Sequence, residues 1–242
     1  MPHRQKHRGQ QSEDPKLFSS DWLPVLNEAV TDMSYLMSRG YSHRSSLKIV
    51  GDRYRLHRRQ RHALYRASCS DQSRTQRAGN LMDVSELKNK QVIIDGYNLL
   101  ISVESALSGG IIIDCRDDTF RDLASVHSTY RTVAETKPAI NLIGEQLESL
   151  CIAGAYWLLD APISNSGRLK HLMEGIAKEK GFQWQIELDN SPDKRIKEEK
   201  ESVAITSDGQ ILDHVDTWTN LHRHIIEGLS ESQIIQLKGV GQ

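Results

Sequence analysis

Cysteine pairs, a secretory signal and long apolar runs are all missing from this chain. Its three cysteines, Cys69, Cys115 and Cys151, are far apart and form no CxxC pair. This spacing argues against a disulfide scaffold or a thiolate zinc site and favours a reducing, cytoplasmic setting. No apolar stretch approaches the roughly 20 residues that span a bilayer, and the basic start lacks the apolar core of a signal peptide. We therefore expect a globular protein without a membrane partner.

Charge is distributed unevenly along the chain, although the net charge is only −1. Residues 1–77 contain 15 lysines and arginines against 7 aspartates and glutamates, whereas the remainder contains 16 against 25. A cationic segment followed by an acidic one indicates that the first part meets a polyanion. The acidic part, in turn, could hold its charge for a metal ion.

Composition and periodicity divide the chain into four parts. We predict a disordered tail over 1–14, a basic helical domain over 15–77, a linker over 78–90 and an α/β domain over 91–242. Helical spacing of apolar residues supports the second part, and alternation of apolar strands with helical segments supports the last. The oligomeric state is left open, a homo-oligomer included.

The third predicted helix of the basic domain has an arginine-rich outer face. This face contains Arg58, Arg59 and Arg61, with tyrosine and histidine interleaved. Arginine and aromatic side chains together suit phosphate contact and base stacking. A solvated helix face explains the same pattern, and the two interpretations stay open here.

The stretch QVIIDGYN, residues 91–98, organises the second half of the chain. Three β-branched residues run into Asp95, a pattern typical of a strand buried on both faces of a parallel sheet. Ligands bind outside the carboxyl ends of such strands. Asp95 is therefore predicted to lie where a carboxylate can take part in chemistry.

Two further strands also end close to an acid, Asp160 and Asp208, and Asp193 begins a later helix. In a mostly parallel sheet these side chains should meet at one edge, where their mutual repulsion favours a divalent cation. Mg²⁺ or Mn²⁺ takes oxygen ligands and keeps several waters, so a few carboxylates suffice. Each acid alone is more simply a cap or a loop residue, but the set of four favours a functional site.

The loop APISNSGRL follows the second of these strands. Its residues Ser164, Asn165 and Ser166 are good helix caps, and Arg168 follows closely. Exposed amides at a helix start beside an arginine form an anion site. A simply capped helix is the alternative interpretation.

The motifs VIIDGYNLL, WLLDAP, SPDKRI and AITSDG resemble those of the PIN-like nucleases, most closely the NYN branch. The matching positions are Asp95, Asn98, Asp160, Asp193 and Asp208. The resemblance covers about residues 91–237. It implies a three-layer α/β/α fold, bound Mg²⁺ or Mn²⁺ and hydrolysis of RNA phosphodiesters.

The whole chain also resembles an uncharacterised archaeal and bacterial family, whose front half is the domain of unknown function numbered 434. The stretches that carry this resemblance are DMSYLMSRGYSHRSSLKIVGDRYRLHRRQRHALYRAS and LLDAPISNSGRLK. The resemblance implies an architecture and no activity.

The chain departs from the nuclease pattern in a long insert, about residues 108–136. The insert brings Asp114, Asp117, Asp118 and Arg121, whose roles the pattern does not predict. Glu104 could replace an acid that many PIN domains have after the first strand, and Asp213 is either a further ligand or a cap. A degenerate site that binds without cleaving is therefore a second hypothesis.

Our sequence-based hypothesis is a metal-dependent nuclease that acts on RNA. Asp95, Asp193 and Asp208 would hold the ion, and Asp160 would share that work or orient the nucleophile. Asn98 would bond a ligand carboxylate or the substrate. A phosphatase of the haloacid dehalogenase type needs an acid two residues after the first aspartate, where this chain has tyrosine. A nicotinamide enzyme is disfavoured because no glycine fingerprint follows a strand, and His214, His222 and His224 are predicted to be surface residues.

Overall fold

The computed structural model describes residues 7–124, 129–230 and 232–241. The helices of this part are α1 (Asp14–Leu17), α2 (Trp22–Ser38), α3 (His43–Arg53), α4 (Arg58–Ala67), α5 (Asp71–Gly79), α6 (Gly96–Leu107), α7 (Thr136–Ser149), α8 (Ser166–Lys180), α9 (Pro192–Glu198), α10 (Gly209–Leu212) and α11 (Leu221–Glu227). The strands are β1 (Leu81–Met82), β2 (Gln91–Asp95), β3 (Ile111–Cys115), β4 (Phe120–Asp122), β5 (Gly154–Asp160), β6 (Trp184–Asp189), β7 (Val203–Ile205), β8 (Trp218–Thr219) and β9 (Gln233–Leu237), and a 3₁₀ helix covers Val84–Leu87. None of these helices combines the length and the apolar character needed to cross a bilayer.

Six strands form a parallel sheet in the order β1-β8-β7-β2-β5-β6. The central strand β2 is buried on both faces, as its unbroken apolar run predicts. Val92 and Ile94 pack into a core with α6, α7, α8 and α11, whereas Ile93 faces α9 and α10 on the other side. The predicted three-layer α/β/α arrangement with helices before it is confirmed.

A second, three-stranded sheet has the order β4-β3-β9. Its middle strand β3 pairs antiparallel with β4 and parallel with β9. Ile111 and Ile113 face a core shared with α2, α3 and α4, while Ile112 packs with Phe120 toward α6 and α11. The insert at 108–136 thus supplies two strands that join the helical region to the α/β layers.

Residues 7–14 belong to the folded body, in contrast to the disordered tail predicted over 1–14. Arg8 is only 2% exposed, and its Nε donates to Glu104 at 2.7 Å. Asp14 is likewise buried and accepts from Arg59 Nε at 2.8 Å. Buried ion pairs of this kind leave no apolar periodicity for sequence reasoning to detect. The first six residues of the predicted tail lie outside the described residues.

The segment predicted as a linker, 78–90, is built into the main sheet instead. Its residues 81–82 form β1, which pairs in parallel with β8. Leu87 is fully buried in the core of the α/β layers. In place of the expected linker the segment is ordered, and its two-residue strand gives almost no apolar pattern from which to predict it. The short helix predicted over 84–87 is present.

Candidate functional site

Four aspartates lie at the carboxyl edge of the parallel sheet, and we call this set the acidic edge. Asp95 ends β2, Asp160 ends β5, Asp208 follows β7 by three residues and Asp193 lies in the first turn of α9. The chain places β5 on one side of β2 and β7 on the other. Ligands bind at such a switch point in open α/β sheets. The sequence placed these four residues on the same edge, as observed.

The carboxyl group of Asp95 is the most shielded of the acidic edge, with a residue exposure of 8%. Burial raises the pKa of this carboxyl to about 8, and the charge of Asp208 acts in the same direction. The hydroxyl of Thr206 donates to Asp95 at 2.9 Å and opposes the shift. A carboxylate in this position is costly to ionise unless a cation or a donor stabilises it.

The other acids share this electrostatic field. Burial raises the pKa of Asp160, and the charge of Asp193 adds to the effect. Asp193 is exposed in the first turn of α9, and partial desolvation together with the charge of Asp208 raises its pKa. Among the described residues, however, no three histidine, cysteine, aspartate or glutamate side chains form a group that could hold a metal ion. The acidic edge is therefore a set of coupled carboxylates and not a closed ligand cage.

Asn98 connects the ends of β2 and β7. Its Oδ1 accepts hydrogen bonds from the backbone N–H of Ser207 at 2.7 Å and from the Ser207 hydroxyl at 3.0 Å. Its own backbone N–H donates to Asp95 at 3.4 Å. The Asp208 carboxylate accepts from the N–H of Gln210 at 2.7 Å and caps α10. These bonds fix the two strand ends that present Asp95 and Asp208.

The loop before α8 does not use its polar side chains as helix caps. Asn165 is left-handed, with φ of 72°, and donates to the carbonyl of Tyr130 at 2.9 Å. Ser166 is buried, and its hydroxyl donates to the carbonyl of Ala161 at 3.3 Å. The backbone of Ser164 pairs with the insert instead, and α8 has no side-chain cap. Arg168 is exposed in the first turn of α8.

The three arginines predicted to contact nucleic acid from α4 have different environments. Arg59 is buried and binds Asp14 and the carbonyl of Leu123. Arg61 donates to Asp52 at 2.9 Å. Arg58 is exposed. Arg59 is thus a structural residue, and of the three only Arg58 is exposed.

Three further acidic candidates lie in separate ion pairs. Glu104 is fully buried with Arg8, far from solvent, and burial raises its pKa. Asp118 occupies a left-handed turn before β4 and binds Lys238 at 2.6 Å. Asp213 accepts from an arginine of α5 at 2.7 Å. Each of the three has a structural partner, and none of them belongs to the acidic edge.

The insert nevertheless reaches the acidic edge through Arg121. This buried side chain donates to the carbonyl of Ser207 at 2.6 Å and pairs with Asp117 at 2.6 Å. Asp117 also binds Arg77 of α5, which donates to the carbonyl of Gly209 at 3.0 Å. Sequence reasoning named Asp117 without assigning it a role and missed Arg77, because single charged residues in polar segments give no periodic signal. Together they support the turn that presents Asp208.

His222 differs from its predicted position at the surface. It is fully buried on α11, and burial lowers its pKa to about 3. His222 and His224 are two positions apart, so only one of them faces the core. The buried one is therefore neutral at physiological pH.

Comparison with known proteins identifies two family matches. Residues 84–224 match the family Domain of unknown function (DUF5616), and residues 25–79 match the family Protein of unknown function (DUF434). The second match confirms the resemblance predicted for the front of the chain. The chain is 31% identical over 187 residues to Uncharacterized protein MJ0935 of Methanocaldococcus jannaschii, across 77% of this chain and 88% of that protein. No solved structure matches the chain.

Proposed function

Since the chain belongs to the family Domain of unknown function (DUF5616), we propose its function from the chemistry of the acidic edge. The protein is a PIN-like nuclease of the NYN type that hydrolyses RNA phosphodiester bonds with Mg²⁺ or Mn²⁺. The observation that supports this proposal is the buried Asp95 carboxyl, whose pKa is raised to about 8 by burial and by the neighbouring carboxylates. Perturbed groups of this kind concentrate at functional sites.

The donor chemistry of the acidic edge fits a hard divalent cation. Its oxygens belong to Asp95, Asp160, Asp193 and Asp208, and a positive charge would relieve the repulsion that raises the pKa of Asp95. Mg²⁺ usually keeps several waters and needs only one or two direct carboxylates. A closed cage of three or more acids is thus not required. We assign the ion to Asp95, Asp193 and Asp208, directly or through water.

When bound, the ion would lower the pKa of a water and offset the charge of the phosphate under attack. Asp160 would then accept the proton of the attacking water, since its raised pKa suits a base. The water oxygen forms a bond to phosphorus as the bond to the leaving oxygen breaks, and the leaving oxygen takes a proton from solvent. Asn98 keeps Asp95 and the β7 turn in position during this exchange.

The helical region would hold the remainder of the strand through exposed basic side chains. They include Arg39, Arg44, Lys48, Arg53, Arg55 and Arg58. Cationic surfaces of this kind bind phosphates without reading sequence, and their affinity falls steeply with salt. Arg168, exposed beside the end of β5, would contact a neighbouring phosphate.

The test is Mn²⁺-dependent cleavage of single-stranded RNA by purified protein. Asp95→Asn and Asp208→Asn should each lower the cleavage rate by at least a hundredfold, because each removes a charged ligand while keeping side-chain size. Asp216→Asn is the matched control, since Asp216 is exposed and precedes β8 at the opposite edge of the sheet. Circular dichroism should show that all three variants stay folded. Wild-type cleavage rates in both edge variants would overturn the proposal.

A nucleic-acid-binding protein with an inactive acidic site is the second candidate. The absence of a ready ligand cage among the described residues favours it. Calorimetry with Mn²⁺ and with RNA separates the two. Binding without any turnover would support this candidate over the nuclease.

A further inference from the structure

A pocket of about 150 Å³ lies between the helical region and the acidic edge. Its helical wall includes His43, Tyr65, Arg66 and Ser68, and we call it the Arg66 pocket. The opposite wall includes residues of the acidic edge and of the turn that presents Asp208. A volume of this size accommodates several waters or one phosphate group with part of a sugar.

Three polar atoms of the helical wall are buried without a hydrogen-bond partner among the described residues. They are Nε2 of His43, Nε of Arg66 and Oγ of Ser68. Ser68 itself is only 4% exposed. Buried polar atoms are nearly always paired in native proteins, so a water or a ligand group is expected to complete these three.

The guanidinium of Arg66 is held more loosely than those of its neighbours. One terminal nitrogen of Arg66 is 3.5 Å from Oδ2 of Asp122. The same oxygen already accepts a hydrogen bond from the Ser102 hydroxyl at 2.9 Å. Arg77 and Arg121, in contrast, pair with a shared carboxylate at 2.5 and 2.6 Å. Arg66 therefore retains donors for an anionic ligand.

The field in the pocket is positive on the helical side. Burial lowers the pKa of His43, and the charges of Arg121 and Arg77 lower it further. The ring of His43 stacks on Tyr65 with centroids 4.0 Å apart. Tyr65 is 38% exposed, so part of its side chain remains accessible beside the pocket. A cationic wall with an adjoining aromatic face suits a nucleotide.

The opposite wall joins the pocket to the proposed catalytic groups. Asn98, Ser207 and Asp208 line it, and the same residues connect β2 to the β7 turn. A strand whose phosphodiester lies at the acidic edge would therefore bring a neighbouring phosphate toward Arg66.

We propose that the Arg66 pocket binds a phosphate group of the RNA strand next to the bond attacked at the acidic edge, with Arg66 as the principal ligand. This inference rests on the proposed function. It assigns to the helical region a defined phosphate site in addition to a diffuse cationic surface. The phosphate is either the end of the strand or an internal one, and the test below separates the two.

The experiment measures binding of a 12-nucleotide single-stranded RNA, labelled with fluorescein at its 3′ end, by anisotropy in EDTA. Arg66→Gln should weaken binding about tenfold and reduce the slope of log K against log salt by about 0.7, the value for one phosphate contact on a single strand. Arg66→Lys should restore the slope, because it keeps the charge. Lys90→Gln is the control, since Lys90 is exposed directly before β2, at the opposite edge of the sheet.

Two RNAs of identical sequence, one with a 5′-phosphate and one with a 5′-hydroxyl, identify the source of the phosphate. An Arg66→Gln effect on the 5′-phosphorylated RNA alone supports a terminal phosphate, and an equal effect on both supports an internal one. Affinity and slope equal to those of Lys90→Gln, or no RNA binding by the wild type, would overturn the proposal. Cleavage with Mn²⁺ is measured separately, so a protein that shows the Arg66 effect without turnover would fail only as a nuclease.

Discussion

At the scale of the residue, a buried carboxylate ties three distant parts of the chain together. Asp117 lies between Arg77 and Arg121, with its side chain fully shielded. Burial alone would raise the pKa of Asp117, but the charges of Arg121 and Arg77 outweigh it and hold the pKa well below its usual range. Both arginines also donate to backbone carbonyls around Asp208. Asp117 therefore positions the acidic edge indirectly.

We expect Asp117→Asn to lower the free energy of unfolding at pH 7 by about 3–5 kcal/mol, since it leaves two guanidiniums buried without their charge partner. The folded pKa of Asp117 is depressed, so its contribution is complete above about pH 4 and is lost as the pH falls below that value. Urea unfolding of wild type and variant should thus differ most at neutral pH and converge in acid.

Asp216→Asn again serves as the control, because exposed substitutions usually change stability by less than about 0.5 kcal/mol. A difference between wild type and Asp117→Asn that stays constant down to pH 3 would contradict the assigned charge pairing.

At the scale of the element, the start of α6 is fixed by close approach to β5. A Cβ on Gly96 would lie 2.8 Å from the backbone carbonyl of Leu158, a contact that real side chains essentially never make. Gly96 immediately follows Asp95, so any shift of α6 also moves the acidic edge. The glycine is required here by space and not by a positive φ.

We expect Gly96→Ala to lower the free energy of unfolding by about 1–3 kcal/mol, because α6 must move away from β5. Gly175→Ala is the matched control on α8, where nothing lies within 4 Å of the new Cβ. The control should raise stability by about 0.5–1 kcal/mol, as alanine does in helix interiors. Chemical denaturation measures both, and a similar change in the two variants would be inconsistent with the packing described.

Helices and strands whose apolar residues recur at regular spacing could be predicted from the sequence. Elements that are held in place by buried ion pairs could not. The strands ending at Asp95 and Asp160 and the edge strand β6 followed from apolar runs or strict alternation. The helix α5 did not, because its buried residue is Arg77. The same division holds at the site. Three of the four acids were placed by strand ends and Asp193 by a helix start, whereas the Arg66 pocket depends on tertiary contacts between segments far apart in the chain.

At the scale of the whole molecule, the predicted separation into a helical domain and an α/β domain gives way to a shared core. Leu26, Met33 and Leu64 of the helices pack in one cluster with Ile111 and Leu237 of the second sheet. Some basic side chains of residues 1–77 also form ion pairs inside the protein, such as Arg8 with Glu104. An uneven charge distribution along a sequence can therefore reflect contacts between two parts of the same chain as well as contacts with an external partner.

We expect a single cooperative unfolding transition for the whole chain, because neither part can bury its apolar surface without the other. Urea curves followed by far-ultraviolet circular dichroism and by tryptophan fluorescence should coincide, since Trp22 reports on the helices and Trp157 and Trp218 on the main sheet. Leu64→Ala should lower the midpoint of both curves together by removing contacts in the shared core. Two separated transitions would instead support independent domains.

The position of β9 has a consequence for how the protein is made. This strand, at residues 233–237, completes the sheet on which the first helices rest. At roughly 5–20 residues per second, a ribosome needs on the order of 8–30 s to extend the chain from the end of α5 to β9. Throughout that interval the apolar face of α2 that packs on this sheet stays partly exposed. We therefore expect the nascent chain to bind chaperones that recognise apolar surface.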